Sequence, residues 1–181
     1  MNALHEYIYT PPPHPAALAI DVLLAQCDWG RGRGAGPGGQ HRNKVETLVW
    51  ITHTPTGIES HASERRSAEE NKSMAVTRLR LALAVRVRGP VPIGEVRSEL
   101  WLRRCPDAGT GIITCNPEHA DYPALLAEAM DVIHACGEDI KRAALRLSCS
   151  MSQLVKLLKD HPPALVRVNE RRESRGLHPM R

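Results

Sequence analysis

No run of about 18 uninterrupted apolar residues occurs in the 181-residue chain, so the sequence holds no helix candidate for crossing a bilayer. The N-terminus has neither the apolar core of a signal peptide nor an Arg-rich amphipathic stretch, and a cytoplasmic protein without a membrane partner is expected. The cysteines Cys27, Cys105, Cys115, Cys136 and Cys149 form no Cys-x-x-Cys pair and are odd in number. Zinc ligands come in tighter pairs and disulfide frameworks in even sets, so these thiols read as reduced and structural, and neither a metal nor another cofactor is expected. His5, His14, His119, His134, His161 and His178 show no ligand spacing either. No internal repeat is present. The length suits one domain with a real core, or one domain and a small helical appendage.

No acidic residue lies between Gly30 and Lys44, whereas Arg31, Arg33, Arg42 and Lys44 do. Six of the eleven residues from Gly30 to Gln40 are glycine, which alone enters positive φ freely and lets a backbone approach a partner closely. On glycine count alone a flexible linker is the simpler account; the cations suit a phosphate-rich partner. The formal charge of +4 is unevenly spread: −2 over residues 1–27, +6 over 28–104, −4 over 105–155 and +4 over 156–181. Two separated basic stretches suit a nucleic acid touched at two places, although a solvated charged surface would count the same.

Prolines from Pro11 to Pro15 exclude a helix beyond Thr10 and predict an extended arm over residues 1–15. Leu18, Val22 and Leu23 have helical spacing, and Cys27-Asp-Trp29 reads as a short strand leading into the glycine stretch. Val45 to His53, rich in β-branched residues, and Ile58 to Ala62 read as a hairpin around the turn Thr54-Pro-Thr-Gly57. Val49 and Ile51 alternate with Leu48 and Trp50, so both sheet faces should be at least partly covered. A helix from a Ser67-Ala-Glu-Glu70 capping box to Arg86, with Leu79, Leu83 and Met74 or Ala75 in one stripe, is expected to cover one face. From Glu95 to Asn116 the signal is weak, with Gly111 to Thr114 the one strand candidate. Helices follow over 121–136, 138–147, 150–160 and 162–175. The middle pair reads either as a helix-turn-helix or as a plain helical hairpin, and DNA recognition is not expected.

Three blocks then occur in order: Gly-Pro-Gly-Gly-Gln-His-x-Asn-Lys at 36–44, His-x-Pro-Thr-Gly-Ile at 53–58 and Glu-Arg-x-Ser-x-x-x-Asn-Lys at 64–72. In these the sequence resembles the class I peptide chain release factors and their shorter relatives that rescue stalled ribosomes, over about residues 16–86. The resemblance implies an α+β fold, a small β-sheet with a hairpin covered by a helix, followed here by an all-helical C-terminal extension. The expected divisions are an arm at 1–15, a catalytic domain at 16–115 and a helical extension with a basic tail at 116–181.

The resemblance also implies chemistry: hydrolysis of the ester joining a peptide to the 3′ end of tRNA, on the ribosome. Gly38, Gly39 and Gln40 are then catalytic, the backbone N–H of Gln40 stabilising the oxyanion while its side chain limits which nucleophile enters. No protein general base is needed, and His41 is not catalytic in the family. Pro37, His41, Asn43 and Asn71 support the loop. Arg31, Arg33, Arg42, Lys44, Arg65, Arg66, Lys72, Arg171 and Arg172 are the expected contacts to large-subunit rRNA and peptidyl-tRNA, although Lys44, Arg65, Arg66 and Lys72 could instead pair with Glu64 or Glu69. Full-length factors carry a stop-codon-reading domain before this one, and only 29 residues precede Gly30, where the glycine stretch opens, so a codon-independent, monomeric hydrolase is expected. The tail 162–181 departs from the Lys-rich tail of the rescue relatives. A non-catalytic ribosome- or RNA-binding protein with the same fold is the other reading.

Overall fold

β-branched and alternating apolar residues make the sheet. In the computed structural model, which describes residues 6–33, 46–106 and 111–180, β1 is Ile8–Tyr9, β2 Cys27–Gly32, β3 Leu48–His53, β4 Ile58–Ala62 and β5 Val87–Arg88. The helices are α1 Ile20–Leu24, α2 Ala68–Arg86, α3 Glu99–Arg104, α4 Tyr122–Ala135, α5 Ile140–Arg146, α6 Met151–Lys159 and α7 Pro162–Ser174, with a 3-10 turn at Pro15–Ala17. The α+β class and the helical C-terminal part are as the sequence predicts. The chain forms two compact units, Leu18–Leu83 and Met1–Ala17 with Ala84–Arg181.

In the first unit β2, β3 and β4 form an antiparallel sheet in that order, with Trp29 opposite Ile51, Gly30 opposite Trp50, and Trp50 opposite His61. Val49, Ile51, Ile58 and Ala62 share the buried face, where Leu79 and Leu83 of α2 are also buried. Ala75, rather than Met74, completes the helix stripe: its small side chain lets Ser60 Oγ donate to its carbonyl at 2.6 Å. The Ser67 hydroxyl accepts from the Glu70 N–H, as the capping box predicts. The hairpin turns where expected, with His53 opposite Ile58; Thr56 N–H and Gly57 N–H both donate to the His53 carbonyl, and Gly57 takes φ +65. The opposite face, expected to be at least partly covered, leaves Trp50 43% exposed.

The second unit is built on α4, whose side chains are buried nearly all round; Tyr122 donates its hydroxyl to the Leu157 carbonyl at 2.7 Å. Within the described part of the expected arm, β1 pairs in parallel with β5. Tyr7, 5% exposed, has the guanidinium groups of Arg88, Arg167 and Arg171 within 4.8, 4.8 and 5.4 Å of its ring centre. Arg88 is fully buried against Asp131 at 2.7 Å. The weak stretch before Asn116 holds α3, which Ser98 caps by accepting the Trp101 N–H at 3.0 Å, while the Trp101 indole donates to Leu147 O at 2.9 Å. The strand candidate Gly111 to Thr114 does not form. Gly111 sits at φ +57, which no strand tolerates, and its carbonyl accepts from Ser150 N–H instead.

His14 places Nε2 3.2 Å from the Val87 carbonyl and accepts the Ala16 N–H on Nδ1 at 3.1 Å, which only the neutral Nε2–H tautomer satisfies. Burial pushes its pKa from 6.5 down to about 4. The folded protein therefore binds this proton more weakly than the unfolded chain, so the His14 contribution to stability is complete above pH 6.5 and is lost as pH falls towards 4. Asp131, raised by burial from 3.8 to about 6 against the pull of Arg88, works with the opposite sign, its contribution being lost as pH rises through 6. His14→Gln, which keeps a donor and an acceptor but cannot titrate, is expected to remove up to ~3 kcal/mol of acid sensitivity in this window. Thermal melts from neutral pH to pH 4 check it; parallel curves for variant and wild type would exclude His14 as the source.

Candidate functional site

β2 leaves the sheet at Gly32 and β3 re-enters it at Leu48, its register partner. The stretch between them carries the first sequence block, and Pro37, Gly38, Gly39, Gln40, His41, Arg42, Asn43 and Lys44 lie outside the described residues. What the structure shows is how the two ends are held. Arg33 Nε and Glu46 Oε1 lie 3.8 Å apart, both largely in solvent, a screened pair that adds little. The strong tie is Asn71, from the third block. It is fully buried on the first turn of α2, and its Nδ2 donates to Thr47 O at 2.6 Å and Arg65 O at 3.0 Å while its Oδ1 accepts Arg65 N–H at 2.9 Å. One amide thus joins the chain entering β3 to the segment entering α2. The geometry needs both a donor and an acceptor on a short side chain, which neither Asp nor Leu offers.

The second block holds the other end of the same strands. His53, 1% exposed, has Nδ1 2.8 Å from Thr56 Oγ1 and Nε2 3.1 Å from Gln26 Oε1, and its pKa is lowered by burial. As a neutral Nε2–H imidazole it donates to Gln26 and accepts from Thr56, linking the residue before β2 to the hairpin turn. His53 was not singled out in the sequence; its period-two place after Val49 and Ile51 is the signal that could have marked it as inward-facing.

Of the expected RNA contacts, Arg31, Arg33, Arg65, Arg66 and Lys72 belong to the first unit, around the end of the sheet where β2 gives way to the glycine stretch. Lys72 Nζ stands 4.0 Å from the centre of the Trp29 ring, which fixes the ammonium beside β2 without neutralising it. Arg31, Arg65 and Arg66 are exposed and have no carboxylate partner among the described residues. Glu64, one of the two acids that could have paired with them, is taken by Arg78 at 2.8 Å, whose hydrogen bond pulls its pKa down to about 2. Arg171 and Arg172 belong to the second unit. Arg171 lies against Tyr7, and Arg172 donates to the carbonyls of Glu138 and His178. Among the described residues no group of His, Cys, Asp and Glu could hold a metal ion, and no helix is long and apolar enough to cross a membrane.

Residues 17–89 match the family model of the RF-1 domain, which supports a class I release-factor catalytic domain over that part of the chain. The chain is 44% identical over 69 residues to the chloroplastic peptide chain release factor PrfB1 of Arabidopsis thaliana, covering 38% of this chain and 15% of that protein. Peptide chain release factor 1 of Acidiphilium cryptum is 34% identical over 110 residues, 60% of this chain and 30% of the relative, and that of Nitrosospira multiformis 40% identical over 98 residues, 54% and 24%. The chain thus spans between 15% and 30% of the length of these relatives.

Replacing Asn71 with Ala deprives the Arg65 N–H and the carbonyls of Thr47 and Arg65, in a part-buried site, of their side-chain partner. The expected cost is about 1–3 kcal/mol, read as a lower denaturation midpoint at unchanged m-value. Wild-type stability in the variant would show that the amide holds nothing.

Proposed function

We propose that this protein hydrolyses, on the ribosome, the ester between a nascent peptide and the 3′ end of its tRNA, and that it does so without a stop codon. The observation that carries the reading is that the two described motif blocks act on one element: Asn71 and His53 fix opposite ends of the β2–β3 pair from which the Gly38-Gly39-Gln40 stretch departs. In this reaction water adds to the ester carbonyl, the C–O bond to the tRNA breaks, the peptide leaves as a carboxylic acid, and the ribose oxygen takes a proton from the attacking water to become a hydroxyl. Oxygen charge builds up as water adds. The backbone N–H of Gln40 meets that charge, the Gln40 side chain screens the nucleophile, and Gly38 and Gly39 admit the backbone geometry that aims the donor. Pro37, His41 and Asn43 support the loop, and the RNA carries the proton transfer. Arg31, Arg33, Arg42, Lys44, Arg65, Arg66 and Lys72 grip phosphates of large-subunit rRNA and tRNA. The protein works as a cytoplasmic monomer.

Phosphate contacts make association salt-dependent. Ribosome affinity is expected to fall steeply with ionic strength, and Arg65→Ala, Arg66→Ala and Lys72→Ala should each lower the slope by about one unit. Salt-independent binding in a sedimentation assay would rule out the phosphate role. The catalytic reading has its own test, release of labelled peptide from stalled complexes with and without a stop codon. Gly39→Ala is expected to abolish release while binding persists, because a Cβ obstructs the backbone. Gln40→Ala should be milder, since it keeps the N–H whose loss would cost about 10² to 10³ in rate. If wild-type protein binds tightly and releases nothing in either complex, it is a non-catalytic ribosome-binding protein.

A further inference from the structure

The chain has three tyrosines, and one of them differs in its surroundings from the other two. Tyr122 is 1% exposed and donates its hydroxyl to the Leu157 carbonyl, and Tyr7 is buried among three guanidinium groups; burial pushes the pKa of both phenols up. Tyr9 is 65% exposed. Its hydroxyl lies 2.9 Å from His134 Nε2, and His134 Nδ1 lies 2.9 Å from Oε1 of Glu138, which is fully buried. A carboxylate oxygen accepts, so Nδ1 carries the proton and Nε2 is left to accept from the phenol.

Two segments of the second unit build this line of three groups. Tyr7 and Tyr9 are two apart along the arm, and the imidazole in the last turn of α4 meets both rings. Its centre is 4.9 Å from that of Tyr7, at an interplanar angle of 72°, and 6.1 Å from that of Tyr9. After α4 the chain turns through Gly137 at φ +71 and Glu138 at φ +66, Glu138 N–H donates to the Ile133 carbonyl, and the carboxylate comes back onto His134 four residues earlier. A left-handed backbone is unfavourable for a glutamate. Its second oxygen, Oε2, is buried and has no hydrogen-bond partner among the described residues. A neutral pair could fasten an arm to a helix without either penalty, whereas a strained carboxylate behind an imidazole is the arrangement that orients a general base.

We propose that Tyr9 is a nucleophilic modification site whose phenol is acylated by activated esters or thioesters, with His134 as the general base and Glu138 as the positioning residue that fixes its tautomer. The Tyr9 oxygen attacks the acyl carbon as its proton passes to His134 Nε2. The tetrahedral adduct then expels the alcohol or thiol, which takes that proton from His134, and the acyl group stays on Tyr9 as a phenyl ester. With the guanidinium groups of this corner held over the Tyr7 ring, a neutral acyl carbon suits Tyr9 better than a charged phosphoryl group. All three residues lie outside the 17–89 match, so the inference is independent of the ribosomal reading. The same hydrogen bonds also pin the arm to α4. The two roles part at His134→Gln, whose amide can donate to Glu138 and accept from Tyr9 but takes up no proton.

The probe is p-nitrophenyl acetate, and the acetyl groups are located on the full chain by peptide mass spectrometry over time. Tyr9 is expected to be acetylated about ten-fold or more faster than the phenol of N-acetyltyrosine amide, with Tyr7 and Tyr122 unmodified. His134→Gln, its melting temperature unchanged, should drop to the rate of the amide. Glu138→Gln, which still accepts from Nδ1–H but brings no charge, should fall between the two, and Tyr9→Phe should lose this adduct alone. A wild-type Tyr9 that reacts no faster than the amide overturns the proposal without recourse to any variant. Full reactivity in a folded His134→Gln overturns it too, since exposure alone would then set the rate, as does an acetyl group found on His134 in place of Tyr9.

Discussion

The chain leaves the sheet at Gly32 and re-enters it at Leu48, and the buried amide of Asn71 is what ties that re-entry to the helix. It satisfies Arg65 N–H, Arg65 O and Thr47 O at once, and without it three part-buried backbone groups at the junction of sheet and helix would lose their side-chain partner. The stripe Ala75, Leu79, Leu83 keeps α2 on the sheet, and α2 in turn keeps Asn71 where the loop re-enters. Hydrophobic burial therefore supplies the energy and one polar side chain supplies the address.

The cations follow the same division between holding and reaching. Arg78 is spent on Glu64 and His61 O, inside the scaffold, whereas Arg31, Arg65 and Arg66 remain outside it. Lys72 is intermediate: its ammonium lies over the Trp29 ring and its charge is kept. In the second unit Arg88, Arg167 and Arg171 are used as structural cations around one tyrosine, which is why a count of basic residues along the chain overstates what is on offer to a phosphate.

Local rules made much of this legible. The hairpin showed in its β-branched alternation, α2 in its cap, and α4 to α7 in their period and their breaks. Elements that depend on distant partners did not show. β1 and β5 are two residues each and exist only because Ile8 meets Val87, and α3 has six residues whose reason is Trp101 reaching Leu147 O. Gly111 lies in an apolar run that suits a strand, but its φ and its tie to Ser150 are set by packing that no window of sequence contains. At the site, Asn71 could be singled out from its block, whereas the pairing of His53 with Gln26 needed the register of β2 on β3.

Tyr7 meets Arg88, Arg167 and Arg171, and Arg167 also donates to Glu6 O. During synthesis the first unit, Leu18–Leu83, has all of its own residues once the chain reaches the end of the sheet-covering helix, and local contacts of this kind close fast. The tyrosine has no such option: Arg167 and Arg171 are made long after it. The second unit can therefore be completed only when translation of α7 is done. A nascent chain that stops short of α7 would hold a formed sheet and an arm still waiting for two of its arginines, so closure of the Tyr7 clasp reports that α7 has been made.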